Sequence, residues 1–452
     1  MKPYRLALLA ASYLAIIGLT RAAGAPPNLV VILADDLGYG DVSAFRSDSD
    51  LRTPHLDQLA AEGMRFTAMR ANSTVCSPTR AALLTGLYAD RAGVPGVIRT
   101  ERSNSWGHFA PGISTLADHL SKAGYHTALI GKWHLGLESP NTPNERGFAF
   151  FHGFLGDMME SYTTHLRHGR NYLRRNLQVE EASGHATDVF TAWACDYLGE
   201  RAASRQPFLL YLAYTAPHFP IEPPADELAR VQQREPGITA KRAANVALVE
   251  HLDKSIGRVL AALREAGLDR TTLVFFTSDN GGSLPHAQNN EPWRDGKQSH
   301  YDGGLRVPFM ARWPGTITAG SRSDYAGLVF DIFATCLEVA GVPRPADIDA
   351  RSLLPILQGD PPSETPRDLY FVRREGGTAY GGNAYHSLIR GEWKLLQNSP
   401  YRPLELYNLR NDPQETTNVI GLNQTLAREM QLALSAHIQR GGAVPWQPLP
   451  EQ

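Results

Sequence analysis

Four uninterrupted apolar runs constrain this chain more than any other feature. Asn28-Leu29-Val30-Val31-Ile32-Leu33-Ala34 leads into Asp35-Asp36, and Thr127-Ala128-Leu129-Ile130-Gly131 leads into Lys132-Trp133-His134. Phe208-Leu209-Leu210-Tyr211-Leu212-Ala213 runs toward His218, and Thr272-Leu273-Val274-Phe275-Phe276 runs toward Asp279-Asn280. A strand wet on one face alternates apolar and polar residues. A run that is apolar at every position needs cover on both faces, as in a parallel sheet between helices. Helical patterns separate the runs at 56–63 behind Pro54, at 114–123 before Gly124, and at about 186–203 and 243–266. The expected architecture is α/β, a large mixed and mostly parallel sheet sandwiched by helices.

From about Pro343 the pattern changes. Leu369-Tyr370-Phe371-Val372, Ala384 to Arg390, Trp393-Lys394-Leu395-Leu396 and Leu404 to Asn408 are short, strand-like and separated by turns. They predict a smaller antiparallel sheet, followed by an amphipathic helix over 425–440. The expected division is an N-terminal α/β domain over 26–342 and a smaller α+β domain over 343–452. Residues 1–25 read as a signal peptide, with a basic start at Lys2 and Arg5, an uncharged apolar run from Leu6 to Leu19, and small residues at Ala22-Ala23-Gly24-Ala25. That run is short for a membrane span, so a secreted or periplasmic protein without a stable membrane anchor is expected.

Charge excludes some partners. The 44 basic and 46 acidic residues leave a net charge of −2, which gives no reason to expect nucleic acid or an anionic membrane surface. The length supports a full core without a disulfide framework. Three cysteines are present, Cys76, Cys195 and Cys336. With Cys76 set aside, the other two are either a pair or, as favoured here, two buried thiols in helices.

In open α/β sheets, ligands bind beyond the carboxyl ends of the strands. Here four such ends each carry a metal-ligand or acid–base side chain. Asp35, Asp36, Asp279 and Asn280 are hard oxygen donors, which favour Ca²⁺ or Mg²⁺ over softer metals. Adjacent aspartates repel each other unless a cation lies between them. Cys76-Ser77-Pro78-Thr79-Arg80 precedes a helical run, Ala81 to Thr85, with Pro78 in its first turn. Free N–H groups at such an end attract anions, and Arg80 lies one turn further in.

The Cys76-x-Pro78-x-Arg80 motif resembles the modification signature of the type I sulfatases, formylglycine-dependent members of the alkaline phosphatase superfamily. Gly131-Lys132-Trp133-His134-Leu135-Gly136 resembles their second signature. Ala216-Pro217-His218-Phe219-Pro220 and Gly296-Lys297, followed by Tyr301 to Pro308, resemble their later histidine and lysine segments. Thr53-Pro54-His55-Leu56-Asp57, Leu406-Tyr407-Asn408 and Asp412-Pro413 extend the likeness over about 28–418. One departure is Leu87, where the family often has arginine after Leu-Thr-Gly.

The resemblance implies a sulfuric ester hydrolase in which Cys76 is converted to formylglycine by a maturation enzyme. It implies a metal site of Asp35, Asp36, Cys76, Asp279 and Asn280, usually holding Ca²⁺. It gives Lys132 the formylglycine hydroxyl to hold, His134 the role of base, and His218 or Lys297 that of general acid toward the leaving alcohol. A sulfated small molecule or glycan is the implied partner. Asp157 and Ser161 are both candidates for substrate contact, and His300 is an alternative to His218 or a residue that shapes the pocket. Two other functions stay open: a phosphate or phosphonate ester hydrolase on the same scaffold, and a sulfated-glycan binding protein with Cys76 unmodified. Arg167, His168, Arg170, Arg174 and Arg175 form a basic stretch, read as a solvated loop or a polyanion contact. Asn72-Ser73-Thr74 and Asn423-Gln424-Thr425 match the glycosylation sequon.

Overall fold

The computed structural model describes residues 26–46, 50–101, 105, 107–361, 365–375 and 383–444. All four apolar runs are central strands of one ten-stranded sheet. Its strands in chain order are β1 (Asn28–Ala34), β2 (Met64–Phe66), β3 (His126–Lys132) and β4 (Phe150–Phe154). A two-stranded ribbon, β5 (Leu166–Arg167) and β6 (Arg170–Asn171), precedes the edge pair β7 (Leu173–Arg175) and β8 (Gln178–Val179). The sheet is completed by β9 (Phe208–Ala213), β10 (Thr272–Ser278), β11 (Phe309–Arg312) and β12 (Ser321–Ser323). The order is β12-β2-β11-β10-β1-β9-β3-β4-β7-β8, parallel from β10 to β4 and antiparallel at the β10–β11 and β4–β7 joins.

The reason those runs are apolar throughout is visible in the two cores. Leu29, Val31, Leu33, Leu209, Tyr211, Leu273 and Phe275 point to one face, and Val30, Ile32, Ala34, Leu210, Leu212, Val274 and Phe276 to the other. Side chains alternate along a strand, so each strand supplies both cores. Helices α1 (Pro54–Glu62), α2 (Cys76–Thr85), α3 (Leu116–Lys122), α4 (Ala186–Ala202), α5 (Ala225–Arg234) and α6 (Ala240–Glu265) supply the cover. Residues of α4 and α6 enter the second core, and residues of α2 and α3 the first.

Four more helices follow, α7 (Asp302–Leu305), α8 (Asp331–Val339), α9 (Leu354–Leu357) and α10 (Gln424–Gly442). The antiparallel sheet β13 (Leu369–Arg374), β14 (Ala384–Arg390), β15 (Trp393–Gln397) and β16 (Glu405–Asn408) forms in simple sequential order. It shares a core with the larger unit, since Ala82, Tyr88 and Phe330 cluster with Tyr370, Phe371 and Leu388. Buried charges add a second tie. Lys394 of β15 is fully buried, with its Nζ 2.8 Å from both Asp302 and Glu415, and the Arg70 fork grips the same Asp302.

Several expectations change. Cys195 and Cys336 are both free thiols, the first half-buried in α4 and the second buried in α8, so the pairing alternative is lost. Asn72 is 1 % exposed, and its Oδ1 accepts from the Phe330 N–H, which leaves no room for a glycan. The basic stretch is mostly strand rather than loop. It spans β5 to β7, where Arg167 is tied to Asp157 and Arg174 is turned onto the carbonyls of Asn171 and Leu173. The expected signal peptide lies outside the described residues.

Candidate active site

The carboxyl ends of β1, β3, β9 and β10 meet the N-terminus of α2. Asp35 and Asp36 leave β1 together, with Asp36 in the left-handed region at φ 64°. The Asp36 N–H donates to Asp279 Oδ1 at 3.2 Å, and the Leu37 N–H to Ser278 Oγ at 2.9 Å. These bonds hold the β1 turn against the end of β10. At the end of β3, Gly131 has φ 100°, and a Cβ there would lie 2.0 Å from the Ala213 carbonyl oxygen. Only glycine lets β3 and β9 approach so closely where Lys132 begins.

Cys76 is the first residue of α2 and is 3 % exposed. Its Sγ lies 3.3 Å from Asp35 Oδ1, 3.8 Å from Asp36 Oδ1 and 3.6 Å from Lys297 Nζ. Burial first, and then the Asp35 carboxylate, push the thiol well above its ordinary value, so it stays protonated. An unmodified Cys76 is therefore a poor nucleophile in this setting.

Three cations and three carboxylates surround it. Lys132 Nζ lies 2.5 Å from Asp35 Oδ2, and Lys297 Nζ 2.6 Å from Asp36 Oδ1. Fully buried Arg80 forks onto Asp279, with Nε at 2.9 Å and Nη2 at 2.7 Å, and its Nη1 donates to the Lys132 carbonyl. Burial alone would raise Asp35, but Lys132, His218, Arg80 and Lys297 hold it well below the carboxylate range. Asp279 goes the other way, to about 7, through burial and the nearby Asp35.

This cluster fits a divalent cation. Asn280 Nδ2 donates to Asp36 Oδ1 at 2.8 Å, and its buried Oδ1 has no hydrogen-bond partner among the described residues. An orphaned amide oxygen beside three buried aspartates is a hard-ion donor set. Asp35, Asp36, Cys76 and His218 also bring one ligand atom each within 4.8 Å of one another. Three lysine or arginine charges balance three carboxylates, so a divalent ion would make the pocket positive and ready for an anionic ester.

The two histidines present different atoms. His134, at φ 61°, donates Nε2–H to the Ile98 carbonyl at 2.7 Å. Its Nδ1 is buried without a partner among the described residues, and burial together with Lys132 and Arg80 keeps the ring neutral. A neutral imidazole with a free Nδ1 can take a proton. His218 donates Nδ1–H to the Phe219 carbonyl at 2.6 Å and aims Nε2 at Asp36, 3.6 Å away. Burial and Lys297 push it down to about 4.

Every residue expected in the catalytic or metal set therefore lies in this one cluster. His300 does not. It is fully buried beneath the antiparallel sheet, stacked on Tyr385, and its backbone N–H donates to Asn398 Oδ1. Asp157 holds Arg167 through a two-point contact, while the neighbouring Met158 and Met159 line the cleft beside Lys132 and His218. Ser161 Oγ meets the Thr163 hydroxyl and accepts from the Thr163 N–H, and the Ser161 carbonyl accepts from the His165 N–H.

The sulfatase family model matches residues 27–342. The chain belongs to the sulfatase family. It is a sulfuric ester hydrolase of the alkaline phosphatase-like superfamily. A second model, the C-terminal region of N-sulphoglucosamine sulphohydrolase, matches 291–440. The N-acetylgalactosamine-6-sulfatase of Mus musculus is 33 % identical, over 93 % of this chain and 82 % of that protein. Arylsulfatase A of Bos taurus is 34 % identical, over 90 % of this chain and 86 % of that one. The crystal structure of Ps i-CgsB in complex with k-i-k-neocarrahexaose superposes with a TM-score of 0.83 at 29 % identity, covering 92 % and 93 % of the two chains.

Two supporting residues of the sulfatase site escaped the reading of the sequence. Tyr162 places its hydroxyl 2.9 Å from the Thr215 carbonyl and 2.8 Å from that of His218, fixing the loop that carries the histidine. Ser278 accepts from Leu37 and donates to the Asn280 carbonyl. A lone tyrosine or serine has no local signature, although Ser278 stands directly before Asp279.

Proposed function

We propose that this sulfatase hydrolyses a sulfate monoester on a carbohydrate, using formylglycine formed from Cys76 and a bound divalent cation, Ca²⁺ or Mg²⁺. The observation that carries the reading is Cys76 Sγ at the α2 N-terminus, 3.3 Å from Asp35 and 3.6 Å from the Lys297 ammonium. Formylglycine would supply a hydrated aldehyde at this point, with one hydroxyl to attack sulfur and a second to release the sulfate. The cation, held by Asp35, Asp36, Asp279 and Asn280, would supply Lewis-acid charge.

The protein's own residues do the rest. Lys132, Lys297 and the first-turn N–H groups of α2 bind and orient the sulfate, where oxygen charge develops. Arg80 spans Asp279 and the Lys132 carbonyl and so keeps the carboxylates and β3 in register. His134 Nδ1 accepts a proton from the nucleophile side. On the leaving-group side, Lys297 carries a proton at neutral pH, since Asp36 raises it against the effect of burial. His218 is neutral there and donates only after substrate charge restores its proton.

Cys76 is shut away in the folded chain, so the maturation enzyme must act before α2 packs. The carbohydrate assignment follows the relatives named above, and the basic-then-apolar start supports export to the cell exterior or periplasm. The test is a comparison of nitrophenyl sulfate with nitrophenyl phosphate. Faster sulfate cleavage is expected, and much faster phosphate cleavage would overturn the assignment.

A further inference from the structure

A cavity of about 560 Å³ opens from the catalytic lysine toward the antiparallel sheet. Arg294, Lys297, Arg373, Asn398, Ser399 and Arg402 line it, together with Asp295 and Glu405. Most of its charges are already engaged. Lys297 faces Asp36, and Arg373 Nε donates to Glu375. Arg294 lies over the Tyr301 ring and bonds the Glu415 carbonyl. Glu405 accepts from the Tyr301 and Tyr407 hydroxyls. Asp295 Oδ1 accepts from the Gly296 N–H. Arg402 differs, because no ion pair or hydrogen bond reaches its guanidinium among the described residues.

Its backbone, in contrast, is fixed. The Arg402 N–H donates to the Ser399 carbonyl, Tyr401 N–H to Ser399 Oγ, and Gln397 Nε2 to the Arg402 carbonyl. Asn398 then joins this turn to the segment that carries Lys297. Its Oδ1 accepts from the His300 N–H at 2.7 Å, and its Nδ2 donates to Ser299 Oγ at 3.2 Å. Tyr401, beside Arg402, is 84 % exposed, an unusual setting for a large aromatic ring. A hydrogen-bonded turn thus presents a spare guanidinium on the same cavity as the catalytic ammonium.

We propose that this cavity binds a second anionic substituent, a sulfate or a carboxylate, on the sugar next to the one being desulfated, and that Arg402 is the group that recognises it. A guanidinium fork matches either anion with two parallel hydrogen bonds. The proposal rests on the sulfatase reading above and adds to it the class of saccharide preferred.

The test uses the full-length matured enzyme and its Arg402→Ala and Arg402→Lys variants. Four substrates are compared: nitrophenyl sulfate, a monosulfated disaccharide with a neutral neighbour, a disulfated disaccharide, and a monosulfated disaccharide with a uronate neighbour. The expected result for R402A is a fall in kcat/KM of about ten- to hundredfold, carried by KM, on one or both of the dianionic substrates. Rates on the other two substrates should hold, and R402K should recover part of the loss. Whichever dianionic substrate responds identifies the anion as sulfate or carboxylate. Equal losses on all four, or no loss on any, would overturn this inference while leaving the sulfatase reading intact. A wild-type enzyme that cleaves no sulfate ester would overturn both.

Discussion

Asn280 points its amide nitrogen at Asp36, 2.8 Å away, and so turns its own carbonyl oxygen into the interior without a hydrogen-bond partner among the described residues. A buried acceptor left open costs about 1–3 kcal/mol, so a ligand is needed to offset it. Calcium should therefore raise the Tm of the wild-type enzyme. At about a hundred times its Kd the ion stabilises the native state by about 2.7 kcal/mol. In Asn280→Ala that rise should shrink sharply while the metal-free Tm stays close to wild type, as thermal unfolding with calcium and with chelator will read. A full calcium response in N280A would remove Asn280 from the ligand set.

His134 is held neutral with one nitrogen on the Ile98 carbonyl and the other unpartnered among the described residues. His134→Ala should lower kcat on nitrophenyl sulfate by about 10²–10⁴-fold, the usual worth of a positioned base. Calcium binding and Tm should change little. A variant that keeps more than a tenth of the wild-type kcat would exclude this histidine as the base.

Asp253 gives a stability effect that depends on pH. Its two carboxylate oxygens accept the His55 and Leu56 N–H groups at the start of α1, and burial pushes it up to about 7. A folded value above the unfolded one, about 3.9, means that its stabilising contribution is complete below pH 4. That contribution is lost as pH rises through 7. The wild-type Tm should fall between pH 5.5 and 8.5 by more than that of Asp253→Asn, which has no charge to bury. Parallel pH profiles for the two proteins would contradict this.

Lys394 crosses from the antiparallel sheet to Asp302 and Glu415 with no exposure to water. Removing one partner of such a pair strands the others, at a cost of about 3–5 kcal/mol. Lys394→Ala should lose that much in denaturant unfolding. A loss below about 1 kcal/mol, the range of exposed pairs, would show that the charges are solvated.

The parts of this protein that sequence made legible share a physical cause. Strands covered on both faces must be apolar at every position, so β1, β3, β9 and β10 stood out, and the polar residues that end them form the candidate site. Edge strands carry no such demand. Met64–Phe66 and Ser321–Ser323 pair through backbone bonds with nothing regular in their side chains, so the outer sheet was not foreseen. His300 was weighed for the pocket because it follows Lys297 by three residues, but the chain dives under the antiparallel sheet between them. Arg402 and Asn398 lie a hundred residues beyond Lys297, and only the folded chain brings them to it.

Cys76 is proposed to stand as formylglycine, not cysteine, in the working enzyme. Mass spectrometry of the peptide containing Cys76, taken from active protein made in a host able to mature it, tests this directly. The expected peptide has lost H₂S and gained one oxygen, the formylglycine form. An intact thiol in protein that turns over sulfate esters would contradict it.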